Sequence, residues 1–165
     1  FLTYGGSLKG GTAIALSVGG DFVDRDNISM AWELNINQSV HNGAHWETQP
    51  GPNFIQGDTR TFGFTASYEI STYPSRRLGI GLRAGAGLVL TPLLMDKNWY
   101  ASEVVSYWGF EPSVHKTPHP IFFAGPTFEY YTKLSHFSIG MDVDVGYAIG
   151  FDLGMAATGF MKYTF

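Results

Sequence analysis

The sequence of 165 residues contains no cysteine. That absence excludes a disulfide framework and any metal site built from thiolates. It also lacks an uninterrupted run of about 18 apolar residues, so no transmembrane helix is predicted. Basic residues are scarce, since 10 Lys and Arg stand against 14 Asp and Glu for a net charge of -4. Nucleic acid is therefore not an expected partner, because binding it requires a basic stripe.

Glycine and aromatic residues, in contrast, are abundant. The chain has 21 Gly, 13 Phe, 9 Tyr and 4 Trp, a composition that favours strands and turns over helices. Its mean hydropathy of -0.01 resembles that of a soluble protein. A membrane barrel has a similar average, because half of each strand faces a polar interior. Alternation along the chain is therefore more informative than the average.

The clearest alternation lies between residues 137 and 165. Odd positions from Phe137 through Met141 to Ile149 are hydrophobic, whereas the even positions between them are small or acidic and include Asp142 and Asp144. Because successive side chains of a strand point to opposite faces, one face is apolar and the other is polar. Residues 151–165 repeat this pattern, so the sequence predicts two adjacent strands here.

The same pattern predicts eight strands in one domain spanning residues 1–165. They cover about residues 2–8, 12–23, 28–39, 59–72, 78–90, 119–131, 137–149 and 151–165. Short turns are predicted at 24–27, 73–77 and 133–136, and long loops at about 40–58 and 91–118. Short turns at every second junction are typical of the periplasmic side of an outer-membrane barrel.

The hydrophobic faces of these segments carry no charge at the positions assigned to them. A soluble barrel would place polar residues on its outer face, so we expect the apolar face to meet lipid and the polar face to line a closed interior. The predicted fold is all-β, an eight-stranded antiparallel up-and-down transmembrane β-barrel. The alternative is a soluble lipocalin-like barrel, which would need Glu33, Arg83, Asp142 and Asp144 on its outside.

The predicted interior contains a charged network with more acids than bases. Its members are Asp21, Glu33, Glu69, Arg83, Glu129, Asp142, Asp144, Asp152 and Lys162. Because unpaired buried charges are costly, we expect Arg83 to meet Glu33, Glu69 or Asp142, and Lys162 to lie at the depth of Asp21 and Glu129. Such an interior is either a structural plug or a narrow cation-preferring pore.

Aromatic residues beside the short turns are predicted to form a girdle at the periplasmic interface. They are Phe22, Tyr68, Tyr130, Phe137, Tyr163 and Phe165. The second long loop is unusually apolar and either folds over the barrel mouth or contacts a protein partner. Its candidate contact residues are Leu94, Trp99, Tyr100, Tyr107, Trp108 and Phe110.

The polar residues of the loops do not define a catalytic or metal site. Candidates for an acid, base or nucleophile are Asp58, His41, His45, Ser102, Ser106 and His115, and no spacing joins them into a constellation. The histidines are expected to be exposed loop residues rather than zinc ligands, because an i, i+4 pair converges only on a helix. No catalytic residue, metal or cofactor is therefore predicted.

The chain resembles the small eight-stranded bacterial outer-membrane barrels of the OmpA transmembrane domain and OmpX/Ail type. The resemblance rests on strand number, alternation and the ending at Met161, Tyr163 and Phe165. It implies a location in the Gram-negative outer membrane, contact with lipid and lipopolysaccharide, and recognition of the last strand by the barrel-assembly machinery. It also implies a structural or interaction role at the cell surface, such as scaffold, adhesin or accessory subunit, with an acidic pore or a lipid-modifying enzyme as alternatives.

Overall fold

The described part of the chain forms a single antiparallel sheet of seven strands. The computed structural model describes residues 11–25, 27–41, 59–91, 106, 117–133, 136–149 and 153–164. The strands are β1 (Gly11–Arg25), β2 (Ile28–His41), β3 (Thr59–Ser75), β4 (Leu78–Thr91), β5 (Thr117–Tyr131), β6 (Phe137–Ala148) and β7 (Leu153–Tyr163). Each strand pairs with the next in the chain, in the order β1 to β7. The sheet is strongly curled into a half-barrel.

The up-and-down antiparallel arrangement and seven of the predicted strands are confirmed. The predicted first strand at residues 2–8 lies outside the described residues. The turn predicted at 73–77 is wrong in its first three positions, because β3 continues to Ser75 and the turn is Arg76-Arg77. The pairing with β4 skips from Thr72 to Ser75, and this irregularity accommodates Pro74, which cannot donate a ladder hydrogen bond.

Two further irregularities shape the sheet. A bulge lies between Asp21 and Val23 where β1 pairs with β2. The β5–β6 ladder has no paired residues between Ala124 and Thr127, where Pro126 again lacks an N–H group. The turn into β6 contains His136 at a φ of 74°, a left-handed conformation that histidine adopts more readily than most residues.

The two faces of the sheet differ sharply in chemistry. On the convex face, large hydrophobic side chains are open: Ile14 is 83%, Leu82 69% and Met161 77% exposed. On the concave face the buried side chains are mainly polar. Of the described residues, twelve polar or charged ones are buried but only two hydrophobic ones, Ile121 and Ala148. This is the reverse of a water-soluble fold, in which hydrophobic residues fill the inside.

The convex face carries little charge. Arg60, the second residue of β3, follows the alternation of Phe62 and Phe64 and is exposed, so the expectation of an uncharged outer face does not extend to this end of the strand. In the described part of the chain, no helix is long and apolar enough to cross a membrane.

Candidate functional site

The centre of the concave face is an ion cluster formed by Arg83, Asp142 and Asp144. Arg83 Nε donates to Asp144 Oδ1 at 3.0 Å, and Nη2 donates to Oδ2 at 2.5 Å. Arg83 Nη1 lies 2.6 Å from Asp142 Oδ2. The side chains of Arg83 and Asp142 retain 15% and 7% of their accessible area. The planar guanidinium thus binds one carboxylate through two bonds, the geometry for which arginine is best suited.

The sequence brings this cluster together through a glycine on the strand between its members. Arg83 of β4 pairs with Gly125 of β5, and the neighbouring pair Ala124 and Val145 brings Gly125 level with Asp144. A Cβ atom at Gly125 would overlap the Val143 carbonyl oxygen and crowd Asp144 Cα, so the glycine lets β6 approach β5 closely where Arg83 reaches Asp144.

An aromatic ring covers the arginine from the side. Arg83 Cζ lies 5.4 Å from the centre of the Phe123 ring, within cation–π range. Phe123 pairs with Gly85, where a Cβ atom would overlap the ring. The concave face therefore uses glycine to make room for a few large side chains.

A second cluster lies nearer the short turns. Glu129 of β5 is buried and accepts a 2.5 Å hydrogen bond from Ser138 Oγ on β6. Lys162 of β7, which pairs with Ser138, places its Nζ 4.0 Å from Glu129 Oε1. Each charge is thus accompanied by a donor or an opposite charge, as buried ionisable groups require.

The concave face at the short-turn end opens into a polar cavity. The hydroxyls of Tyr73 and Tyr131 lie 3.3 Å apart, and their rings are 5.8 Å apart. These residues line a cavity of about 220 Å³ together with Asp21, Ser29 and Arg76. Ser29 Oγ donates to Asp21 Oδ1 at 3.5 Å, so this mouth has both hydroxyl and charged groups available to water or ions.

Neutral side chains elsewhere on the concave face form hydrogen bonds with one another. Ser39 and Thr61 share a 2.8 Å bond between hydroxyls, and Asn35 Nδ2 donates to Ser17 Oγ at 2.7 Å. Within the described ranges, no three His, Cys, Asp or Glu side chains are grouped to hold a metal ion. The described arrangement is suited to holding charge and water inside the sheet.

The sequence-predicted charged residues share this face. Alternation and pairing place Asp21, Glu33, Glu69, Arg83, Glu129, Asp142, Asp144 and Lys162 on it, whereas Asp152 lies outside the described residues. Arg83 contacts Asp142, one of its three expected partners, and also Asp144, which was not among them. Glu69 is its register neighbour on β3, and it accepts a bond from Ser71 Oγ at 2.5 Å.

The girdle residues that are described follow the outward alternation. The rings of Phe22 and Tyr68 are 5.1 Å apart, and Tyr130 and Tyr163 are exposed on neighbouring parts of the wall. Phe137 pairs with Tyr163 and is half-buried. Tyr68 pairs with Trp32, four residues beyond the start of β2, so it lies further from the turns than Tyr130. Phe165 lies outside the described residues.

Most residues of the two long loops lie outside the described residues. These include the candidate contact residues Leu94, Trp99, Tyr100, Tyr107, Trp108 and Phe110. The expectation that His41 is an exposed loop residue is wrong, because His41 ends β2 and is fully buried. His119 is also buried, within β5, and its Nδ1 lies 3.2 Å from the Ile149 carbonyl oxygen. The other polar loop candidates, Asp58, His45, Ser102 and His115, lie outside the described residues, and Ser106 is exposed.

Sequence reasoning missed the hydroxyl groups that accompany the acids. Ser29, Ser71 and Ser138 each donate to a carboxylate. The sequence predicts Tyr73 in a turn, whereas Tyr73 lies in β3 and lines the polar cavity. The signal was present in the alternation, since each serine occupies a polar-face position of its strand.

A scan against protein-family models found no match for this chain, and neither did searches of curated proteins and of solved structures.

Proposed function

We propose that this chain is an integral outer-membrane β-barrel with a structural or interaction role at the cell surface. One observation carries the proposal: the wall is hydrophobic outside and polar inside. A fold exposing Ile14, Leu82 and Met161 in water would leave a large apolar surface without a partner. Lipid acyl chains cover such a surface over its whole circumference, and buried polar groups then face one another.

Closing this barrel requires a further strand, and the alternation at residues 2–8 predicts one. Within the described sheet β1 and β7 are the edges, and an open edge presents unpaired N–H and C=O groups. Such groups cost several kcal/mol each in hydrocarbon, which is why membrane-spanning sheets close. The described strands are 11 to 17 residues long, and about 9–11 residues suffice to cross a bilayer.

The two ends of the sheet differ, and this difference supports an orientation. At one end the chain turns at Arg76-Arg77 and returns between Tyr131 and Phe137. At the other, residues 42–58 and 92–116 separate consecutive strands. Outer-membrane barrels have short turns in the periplasm and long loops outside. We therefore assign residues 42–58 and 92–116 to the cell surface, where they would contact lipopolysaccharide or a protein partner.

Folding into lipid tests the proposal. Urea-unfolded protein added to phosphatidylcholine vesicles should become resistant to protease and should migrate differently on a gel before and after boiling. The same protein diluted into buffer without lipid or detergent should aggregate. A monodisperse, folded species in detergent-free buffer would contradict the proposal, because the exposed wall would then be stable in water.

A narrow cation-preferring pore is the second candidate, favoured by the surplus of acids. Six described acids face the concave side, against Arg83 and Lys162. The Arg83 cluster favours a plug, because it ties β4 to β6 across β5 and eight strands leave little free space. In a planar bilayer, absence of steady openings supports the plug, and cation-selective openings support the pore. Replacing Arg83, Asp142 and Asp144 together by serine should raise conductance if this cluster blocks the interior.

A further inference from the structure

An apolar groove crosses the convex wall close to the short turns. Its volume is about 290 Å³, and its outward-facing lining is Leu78, Phe128, Tyr130, Ile139 and Met141, with Glu129 and Gly140 also contributing. That volume holds roughly ten groups the size of a water molecule. It therefore suits part of one acyl chain.

The two turns next to the groove in sequence contain basic residues and no acid. Leu78 follows Arg77 directly and pairs with Tyr130, and the Tyr131 N–H donates to the Arg77 carbonyl at 2.8 Å. Lys133 lies two residues further along the second turn. Residues 73–77 and 131–136 contain Arg76, Arg77, Lys133 and His136 but no Asp or Glu, and these four side chains are exposed.

We propose that this groove and the two turns bind one anionic phospholipid, with an acyl chain along Leu78, Tyr130 and Ile139 and the phosphate at Arg77 and Lys133. Charge complementarity favours an anionic phospholipid as the occupant. Arginine forms bidentate bonds with phosphate, and a net negative headgroup places no further positive charge beside Arg77 and Lys133. Arg76 also lines the cavity on the concave side, so Arg77 and Lys133 are the principal headgroup residues. The inference rests on the proposed function, since it requires this wall to lie in a bilayer.

The test uses the full chain refolded in a zwitterionic detergent and titrated with phosphatidylglycerol or phosphatidylcholine. Native mass spectrometry counts the lipids that remain bound. The wild type should retain one phosphatidylglycerol in preference to phosphatidylcholine. The double variant Arg77→Gln/Lys133→Gln should bind phosphatidylglycerol about 25-fold more weakly, from about fivefold for each basic side chain.

Arg60→Gln is the control for the loss of a basic charge away from the groove, because Arg60 is an exposed residue near the opposite end of β3. Its affinity for phosphatidylglycerol should stay within about twofold of the wild type, as expected for a charge outside the site. Glycerol phosphate, which has the headgroup phosphate without acyl chains, should not displace the lipid at equal concentration. Displacement would show a free-phosphate site and overturn the role of the groove.

Insertion is measured separately, so the two proposals can fail independently. Both variants and the wild type should insert into phosphatidylcholine vesicles and become protease-resistant. Insertion without a phosphatidylglycerol preference, or an equal loss in Arg60→Gln, overturns the lipid site alone. Failure of the wild type to insert into any vesicle overturns the proposed function, and the lipid site with it.

Discussion

Replacing Arg83 by methionine should strongly destabilise the protein. Methionine keeps most of the side-chain volume but removes the charge and the donors. Asp142 and Asp144, which are 5% and 6% exposed, would then face each other without the cation that lies 2.6 and 2.5 Å from them.

The expected loss is about 3 kcal/mol in the free energy of unfolding. Removing one partner of a buried ion pair costs about 3–5 kcal/mol, because the remaining charge stays buried and uncompensated. We take the lower end because the Arg83 side chain retains 15% of its accessible area, so some water reaches the cluster. Arg83→Lys should lose about 1–2 kcal/mol, since lysine keeps the charge but cannot form the bidentate bond.

Urea unfolding in phosphatidylcholine vesicles, followed by the change in gel mobility, gives these free energies. The triple variant R83M/D142N/D144N is the control. It should recover most of the stability lost by R83M, because removing every charge of a buried cluster often leaves the free energy of unfolding nearly unchanged. A loss below about 0.5 kcal/mol for R83M, the level of an ordinary surface change, would refute the cluster's role. So would a triple variant less stable than R83M.

Two further changes test local features. Gly140→Ala should lower the free energy of unfolding in urea by about 1–3 kcal/mol, because its Cβ would overlap the Phe160 ring. Gly159→Ala is the control, since the nearest neighbour of its Cβ is the Gly140 oxygen at 4.0 Å, and it should cost less than about 0.5 kcal/mol. Equal losses for the two variants would contradict the packing argument. His136→Val should be about 1–2 kcal/mol less stable than the wild type, because a β-branched residue is strained at the left-handed φ of 74°. His136→Gly should be at least as stable as the wild type, and a glycine variant less stable than the valine variant would contradict this conformation.

The strands and their faces were predictable because alternation is a local property. Leu82, Arg83 and Ala84 reveal by their order which side chains share a face, and pairing then extends that face across neighbouring strands. Long runs such as β4 leave little ambiguity, since a slip of one residue would exchange the whole hydrophobic and polar sets.

The partners within the concave face were less predictable because they depend on register and irregularities. Arg83 meets Asp144 across Gly125, beside a stretch where the β5–β6 ladder is interrupted near Pro126. Pro74 suggested a turn, yet β3 continues past it. The sequence predicts His41 in a loop, but its pairing with Thr59 of β3 extends β2 through His41. The end of a strand thus depends on the neighbouring strand as well as on its own residues.

The free energy of unfolding of Leu34→Arg in lipid vesicles tests the central claim most directly. Leu34 is the seventh of the fourteen residues of β2, with 51% of its area exposed. An arginine on the lipid-facing wall near mid-depth costs about 2–4 kcal/mol, whereas near the interface it costs about 0–1 kcal/mol. Met161→Arg, near the end of β7, is the matched control. We predict a loss of about 2–4 kcal/mol for Leu34→Arg and less than about 1 kcal/mol for Met161→Arg; two losses below about 0.5 kcal/mol, as on a water-exposed surface, would contradict a wall that faces lipid.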